Sequence, residues 1–105
     1  MFKDPRLEED RQRNIAYLNR YGITLKEYRA MHAGQNGVCK ICGEPPPKGT
    51  RLFVDHDHET KKVRGLLCVG CNAGLGGFKD NTIVMTEAIR YIQRSRGQRY
   101  VPPTP

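Results

Sequence analysis

Hydrophobic positions recur at helical spacing in the first third of the chain and then change period. Leu7, Ile15, Tyr17 and Leu18 give residues 6–20 a partial apolar face, crowded by Arg6, Arg11, Arg13 and Arg20. The spacing predicts a mostly solvated helix, with Gly22 placed to end it as a left-handed cap. Thr24-Leu25-Lys26-Glu27 has the form of a capping box. Leu25, Tyr28 and Met31 then mark the buried stripe of a second helix to about Ala33, stopped by Gly34 and Asn36-Gly37. His32 follows that stripe and reads as incidental rather than as a ligand.

After the second helix the runs shorten. Residues 45–47 are three prolines, which exclude helix and inner strand. Residues 51–55 and 63–67 are short apolar stretches around a polar tip at 59–62, and predict a hairpin with a longer loop. A short helix opens at Cys71, weakened by Gly74, Gly76 and Gly77. Asp80 or Asn81 can cap a last helix to about Arg94, with Ile83, Val84, Ala88, Ile89 and Ile92 as its inner stripe. Gly97 and the proline-containing residues 101–105 end the ordered part. The pattern divides the chain into an N-terminal helical segment, 1–37, a core, 38–95, and a flexible tail, 96–105.

The totals narrow the class. At 105 residues the chain is one domain at most, and a unit of this size often needs a staple. A net charge of +7 is compatible with plain solubility and with a polyanionic partner, most often nucleic acid. No apolar run approaches the roughly 20 residues that span a bilayer, so no membrane partner is expected. The charged N-terminus has no apolar core of a secretory signal, which predicts a reducing cytoplasm. In that setting paired cysteines favour metal over disulfides.

Four cysteines form two Cys-x-x-Cys turns, Cys39/Cys42 and Cys68/Cys71, with 25 residues between Cys42 and Cys68. Each turn presents two thiolates on one side, and two turns close a tetrahedral zinc shell. A redox-active pair does not usually come doubled around a hairpin. A closed four-cysteine shell has no open coordination position, so this Zn²⁺ is expected to be structural, with binding energy acting as folding energy. Gly43 allows the sharp turn that brings amides to sulfur.

Between the two turns lies Val54-Asp55-His56-Asp57-His58-Glu59, and Asn72 follows the last cysteine. Such a stretch can be a polar strand end and nothing more. Yet a carboxylate, an imidazole and an amide are what phosphodiester hydrolysis asks for: oxygen donors for a hard cation such as Mg²⁺, and a base whose ordinary pKa is about 6.5. Strict alternation would place Asp55 and Asp57 on one face and His56 and His58 on the other. Asp55 and His56 can serve one phosphate only if the strand bends or bulges there.

Leu-Phe-Val-Asp-His-Asp-His-Glu-Thr followed by Val-Arg-Gly-Leu-Leu-Cys-x-x-Cys-Asn resembles the phage recombination endonuclease VII family, among the HNH or His-Me finger nucleases. The likeness covers roughly residues 21–95 and is strongest from Cys39 to Asn72. It implies an α+β fold: a small zinc-stapled ββα-metal (His-Me finger) module with flanking helices. By motif position, Asp55 and Asn72 match the ligands of a catalytic Mg²⁺ or Mn²⁺, and His56 matches the general base. His58 matches a second histidine near phosphate or metal, and the four cysteines match the zinc ligands. The implied activity is that of a metal-dependent DNA endonuclease or nickase leaving 5′-phosphate and 3′-hydroxyl ends.

Arg64 is open to two readings, a phosphate contact through its planar fork or a solvated strand charge. Lys61 and Lys62, at the hairpin tip, are the favoured backbone contacts among the remaining basic residues. The expected partner is double-stranded or branched DNA, bound by a monomer or homodimer in the host cytoplasm if the gene is a phage's. Two alternatives stand: a non-catalytic zinc module that binds DNA, and a dimeric Holliday-junction resolvase. Leu75, where the resolvases have an acidic residue, and the absence of a long helical extension count against the resolvase.

Overall fold

The computed structural model describes residues 4–96. In order these form α1 (Pro5–Tyr21), α2 (Leu25–Gly34), β1 (Phe53–His56), β2 (Val63–Leu67), α3 (Val69–Gly77) and α4 (Thr82–Ser95). The chain divides into two compact units, the first ending at Ala73 and the second starting at Gly74. Of the tail expected at 96–105, residues 97–105 lie outside the described residues.

The helix boundaries follow local chemistry. The Asp4 side chain accepts from the Arg6 amide, Pro5 occupies the first helical turn, and Gly22 closes α1 with φ of 71°. None of α1's residues is buried, as its arginine-crowded face led us to expect. The capping box at Thr24 is complete: Thr24 Oγ1 accepts from the Glu27 amide at 3.0 Å, and Glu27 Oε1 accepts from the Thr24 amide at 3.0 Å. Asn14 joins the two helices by accepting from the free Leu25 amide at 2.8 Å. α2 ends with the Gly37 amide on the His32 carbonyl and the Asn36 amide on the Ala33 carbonyl, Asn36 taking the left-handed conformation.

The core of the first unit is small: Ile23, Leu25, Tyr28, Cys39, Leu52, Val54, Leu66 and Leu67. It lies between α2 and an antiparallel two-stranded sheet. Tyr28 anchors the two layers, stacking on Tyr17 at 5.0 Å and donating its hydroxyl to the Leu52 carbonyl at 2.7 Å. Strand pairing begins at Phe53, not at Arg51 as the apolar run suggests: Phe53 pairs with Leu67, the last residue of β2, and α3 already starts at Val69. β1 also runs one residue further, to His56.

Two further expectations need correction. α3 starts at Val69, two residues before Cys71, so the second cysteine turn leads into the first turn of the helix: the Asn72 amide bonds the Cys68 carbonyl at 3.0 Å. The proposed inner stripe of α4 is not buried. Ile83 is 76% exposed, and Val84, Ile89 and Ile92 are exposed as well. Among the described residues the second unit holds little besides α4 and the end of α3, and one helix there has no layer within the unit on which to bury an apolar face. Asn81, rather than Asp80, caps α4, accepting from the amides of Ile83 and Val84.

Candidate active site and metal centre

The four cysteine sulfurs gather within 4.8 Å of one another, the one such cluster of metal-ligating groups among the described residues. Cys42 and Cys68 Sγ are 3.9 Å apart. Tetrahedral zinc with Zn–S of about 2.3 Å requires sulfurs about 3.8 Å apart, so the donor set and its spacing fit that ion. The first turn is built by Gly43, whose φ of 73° lets its amide reach the Cys39 carbonyl at 2.9 Å. The second is built by the start of α3, where the Cys71 amide lies 3.4 Å from Cys68 Sγ.

The thiols feel this geometry unequally. Burial pushes Cys39 up, but amides of Cys68, Cys42 and Ile41 outweigh it and bring the thiol down to about 6. At Cys71, the contact with the Cys68 sulfur followed by burial pushes the thiol up to about 12. Crowded sulfurs without a shared cation hold protons, whereas amides aimed at one of them release it.

The first turn is bolted to the sheet from the opposite side. The Lys40 amide bonds the Leu66 carbonyl at 3.1 Å, and Lys40 Nζ donates to the Arg64 carbonyl at 3.2 Å. Gly65 is the point of closest approach: a Cβ there would stand 2.7 Å from Lys40 Cδ and 3.4 Å from Gln35 Oε1. Gln35 completes the joint. Its side-chain amide donates to the carbonyls of Val38 and Leu66 and accepts from the Leu66 amide. The one signal of Gln35 in the sequence is an amide side chain directly after a helix end, next to a knuckle.

The sheet is irregular at the Asp55–His56 step. Asp55 pairs with Gly65 but His56 pairs with Val63, so Arg64 is an extra residue on β2 opposite the Asp55–His56 step. Arg64 Nε lies 2.8 Å from Asp55 Oδ2, and its Nη2 lies 3.2 Å from Oδ1. The Asp55 side chain is 11% exposed, that of Arg64 35%. Arg64 is thus neither a plain solvated charge nor a fork turned only outward. His56, at the end of β1, is half-buried, 5.3 Å from the exposed His58 ring and 6.1 Å from Tyr21.

Asp57 leaves the strand. It accepts from the amides of Glu59 and Thr60, which lower its pKa, and its own backbone closes the loop with Lys61 and Lys62. Lys61 takes a φ of 65°, and both lysines are exposed at the tip. Asn72 is exposed in the first turns of α3, one residue after Cys71. The structure therefore brings Asp55 and Arg64 together, sets the two histidines side by side, and gathers the cysteines. It shows no direct bond between Asn72 and Asp55.

A hairpin whose bulge orients an Asp-His step, leading through a cysteine knuckle into a helix with an exposed Asn, sets the frame for comparison. The sequence pattern described as Recombination endonuclease VII matches residues 12–94. The chain belongs to that family. It is 47% identical over 75 residues to the Gene 59 protein of Mycobacterium phage D29, and 47% identical over 73 residues to the Gene 59 protein of Mycobacterium phage L5. These alignments cover 70% and 69% of this chain but 46% and 44% of those proteins, so the chain spans about half the length of the curated relatives it matches. Among solved structures it is similar to the ββα-Me type II restriction endonuclease Hpy99I, at 31% identity and a TM-score of 0.50, over 68% of this chain and 42% of that one. The α+β, ββα-metal architecture expected from the sequence is the observed one.

Proposed function

We propose that this family member is a divalent-metal-dependent DNA endonuclease or nickase of the HNH type, with a structural zinc held by Cys39, Cys42, Cys68 and Cys71. The observation that carries this reading is the bulge opposite the Asp55–His56 step, inside a sequence that matches a nuclease family. Asp55 offers a carboxylate and Asn72 an amide oxygen, a donor set that suits Mg²⁺ or Mn²⁺ rather than a soft ion. Such an ion, when bound, supplies charge that stabilises the phosphorane-like oxygens and the leaving oxygen.

The chain's own groups supply the rest. His56, half-buried at the end of β1, takes a proton from the attacking water as the general base. His58, beside it and exposed, contacts phosphate. Lys61 and Lys62 present charge to the DNA backbone at the hairpin tip. Asp55 is held in the fork of Arg64, a grip that a bound cation must share or displace.

The substrate is double-stranded or branched DNA, cut in the host cytoplasm by a monomer or homodimer; phage relatives support that setting. Among the described residues no helix is long and apolar enough to cross a membrane. The test is the chemistry of the ends. Nicked DNA produced by the protein with Mg²⁺ should be resealed by DNA ligase without prior kinase treatment. Ends that need a kinase or a phosphatase before sealing would contradict this mechanism.

A further inference from the structure

Away from the Asp55–His56 step, three arginines and a histidine from three parts of the first unit converge on one cleft. Arg13 comes from α1, Arg29 and His32 from α2, and Arg51 from the segment before β1. Together with Tyr28 they line a space of about 380 Å³. Among the described residues one of the three guanidiniums has a carboxylate partner: Arg29 lies 3.0 Å from Asp10. Arg13 is held over the rings of Tyr17 and Tyr28 at 5.8 and 6.0 Å. Its Nη2 reaches the Tyr17 hydroxyl only at 3.4 Å, and its Nε is buried with no hydrogen-bond partner.

This arrangement is costly for a surface with no ligand. Like charges brought together repel, and a buried N–H without an acceptor forfeits its hydrogen bond to water. The aromatic floor fixes the direction of one guanidinium, which lowers the ordering cost of binding an oxyanion through planar, paired N–H groups. Arg51 stands four residues before Asp55 on the segment that becomes β1, which is a reach of about 13 Å when extended. A nucleic-acid strand passing Asp55 can therefore run on to this cleft.

We propose that Arg13 and Arg51, with Arg29 and His32 at the rim, form a second phosphate-binding site that holds the DNA backbone at a distance from the bond being cut. The site rests on the nuclease reading only for the identity of its ligand, a phosphodiester. It sets the register of the strand and carries no part of the cleavage step.

The test is binding of a fluorescein-labelled DNA duplex in EDTA, followed by anisotropy across a series of salt concentrations. The proteins compared are wild type, Arg13→Gln, Arg51→Gln and, as a control for lost charge alone, Lys48→Gln in the proline loop. Zinc content and circular dichroism confirm that each is folded; if Arg13→Gln disturbs α1, Arg51→Gln decides. Each cleft variant should lower the slope of log affinity against log salt by about 0.9, the value for one phosphate contact, while Lys48→Gln leaves it unchanged. Slopes equal to that of the control overturn the proposal. Inorganic phosphate serves as the second probe: competition by millimolar phosphate with wild type but not with Arg51→Gln marks a site for free phosphate, and would overturn the backbone assignment if the salt slopes were also unchanged. Plasmid cleavage by wild type separates the two claims, because cleavage with unchanged slopes removes this site and leaves the nuclease standing, whereas altered slopes without cleavage do the reverse.

Discussion

Arg64 grips both carboxylate oxygens of Asp55, and it does so from a bulge that places it opposite the Asp55–His56 step. A regular β2 would alternate, carrying Arg64 to the other face from its neighbour Gly65, which pairs with Asp55. The extra residue removes that alternation locally. A cation bound by Asp55 must share that carboxylate with Arg64 or displace it. Removing the guanidinium charge should therefore tighten divalent-ion binding. Arg64→Gln is expected to bind Mn²⁺ on the order of tenfold more tightly, because a neighbouring unit charge at an effective dielectric of about 20 is worth more than ~1 kcal/mol. Electron paramagnetic resonance of free Mn²⁺ measures this directly. Weaker binding in a folded Arg64→Gln protein would show that Arg64 positions Asp55 and does not compete.

Gln35 predicts a large stability effect from a residue with no catalytic role. Its side chain satisfies both the amide and the carbonyl of Leu66, a residue with no exposed surface. Gln35→Ala leaves the Leu66 amide without its acceptor, which costs about 1–3 kcal/mol. Gln35→Glu should be worse, since it would aim a charge at the carbonyls of Val38 and Leu66. Urea denaturation of the zinc-loaded proteins gives both values, and an unchanged midpoint in Gln35→Ala would contradict the joint described here.

Lys61 separates conformation from charge. Its φ of 65° favours glycine, so Lys61→Gly should keep or raise stability by up to about 1 kcal/mol. If Lys61 contacts the DNA backbone, the same variant should bind DNA more weakly and with a reduced salt slope. Loss of stability together with unchanged binding would reverse both halves of the assignment.

Zinc should be needed for folding and not for the chemical step. Chelation strong enough to strip the four-cysteine shell is expected to unfold the first unit, with loss of helical signal by circular dichroism. Cys39→Ser, at the buried ligand, should fail to retain stoichiometric zinc. A metal-free protein with native circular dichroism and an unchanged melting temperature would argue against a stapling role.

The sequence was most informative where function and geometry share residues. The capping box at Thr24, the halt at Asn36-Gly37 and the return strand Val63–Leu67 each follow from local chemistry, and each is present. The cysteine spacing foretold a cluster of sulfurs, since a Cys-x-x-Cys turn is itself a local structure. What stayed hidden depends on contacts between distant segments. The bond from the Tyr28 hydroxyl to the Leu52 carbonyl ties α2 to the segment before β1, and no period in residues 51–55 encodes it. The partner of Arg64 was ambiguous because a bulge decides it, and a bulge is invisible to an alternation rule. The apolar positions of α4 were read as buried because amphipathic spacing says which face is apolar, not whether anything covers it.

The most direct test of the central claim is cleavage of supercoiled plasmid by the zinc-loaded protein in Mg²⁺ or Mn²⁺, beside EDTA and beside His56→Ala. Conversion to open circle or linear DNA should require the ion, and should fall by about 10²–10⁴-fold or vanish in a folded, zinc-replete His56→Ala protein. Full activity in that variant would remove His56 from the mechanism. Binding of the plasmid without cleavage under either ion would contradict the nuclease and favour a zinc module that only binds DNA.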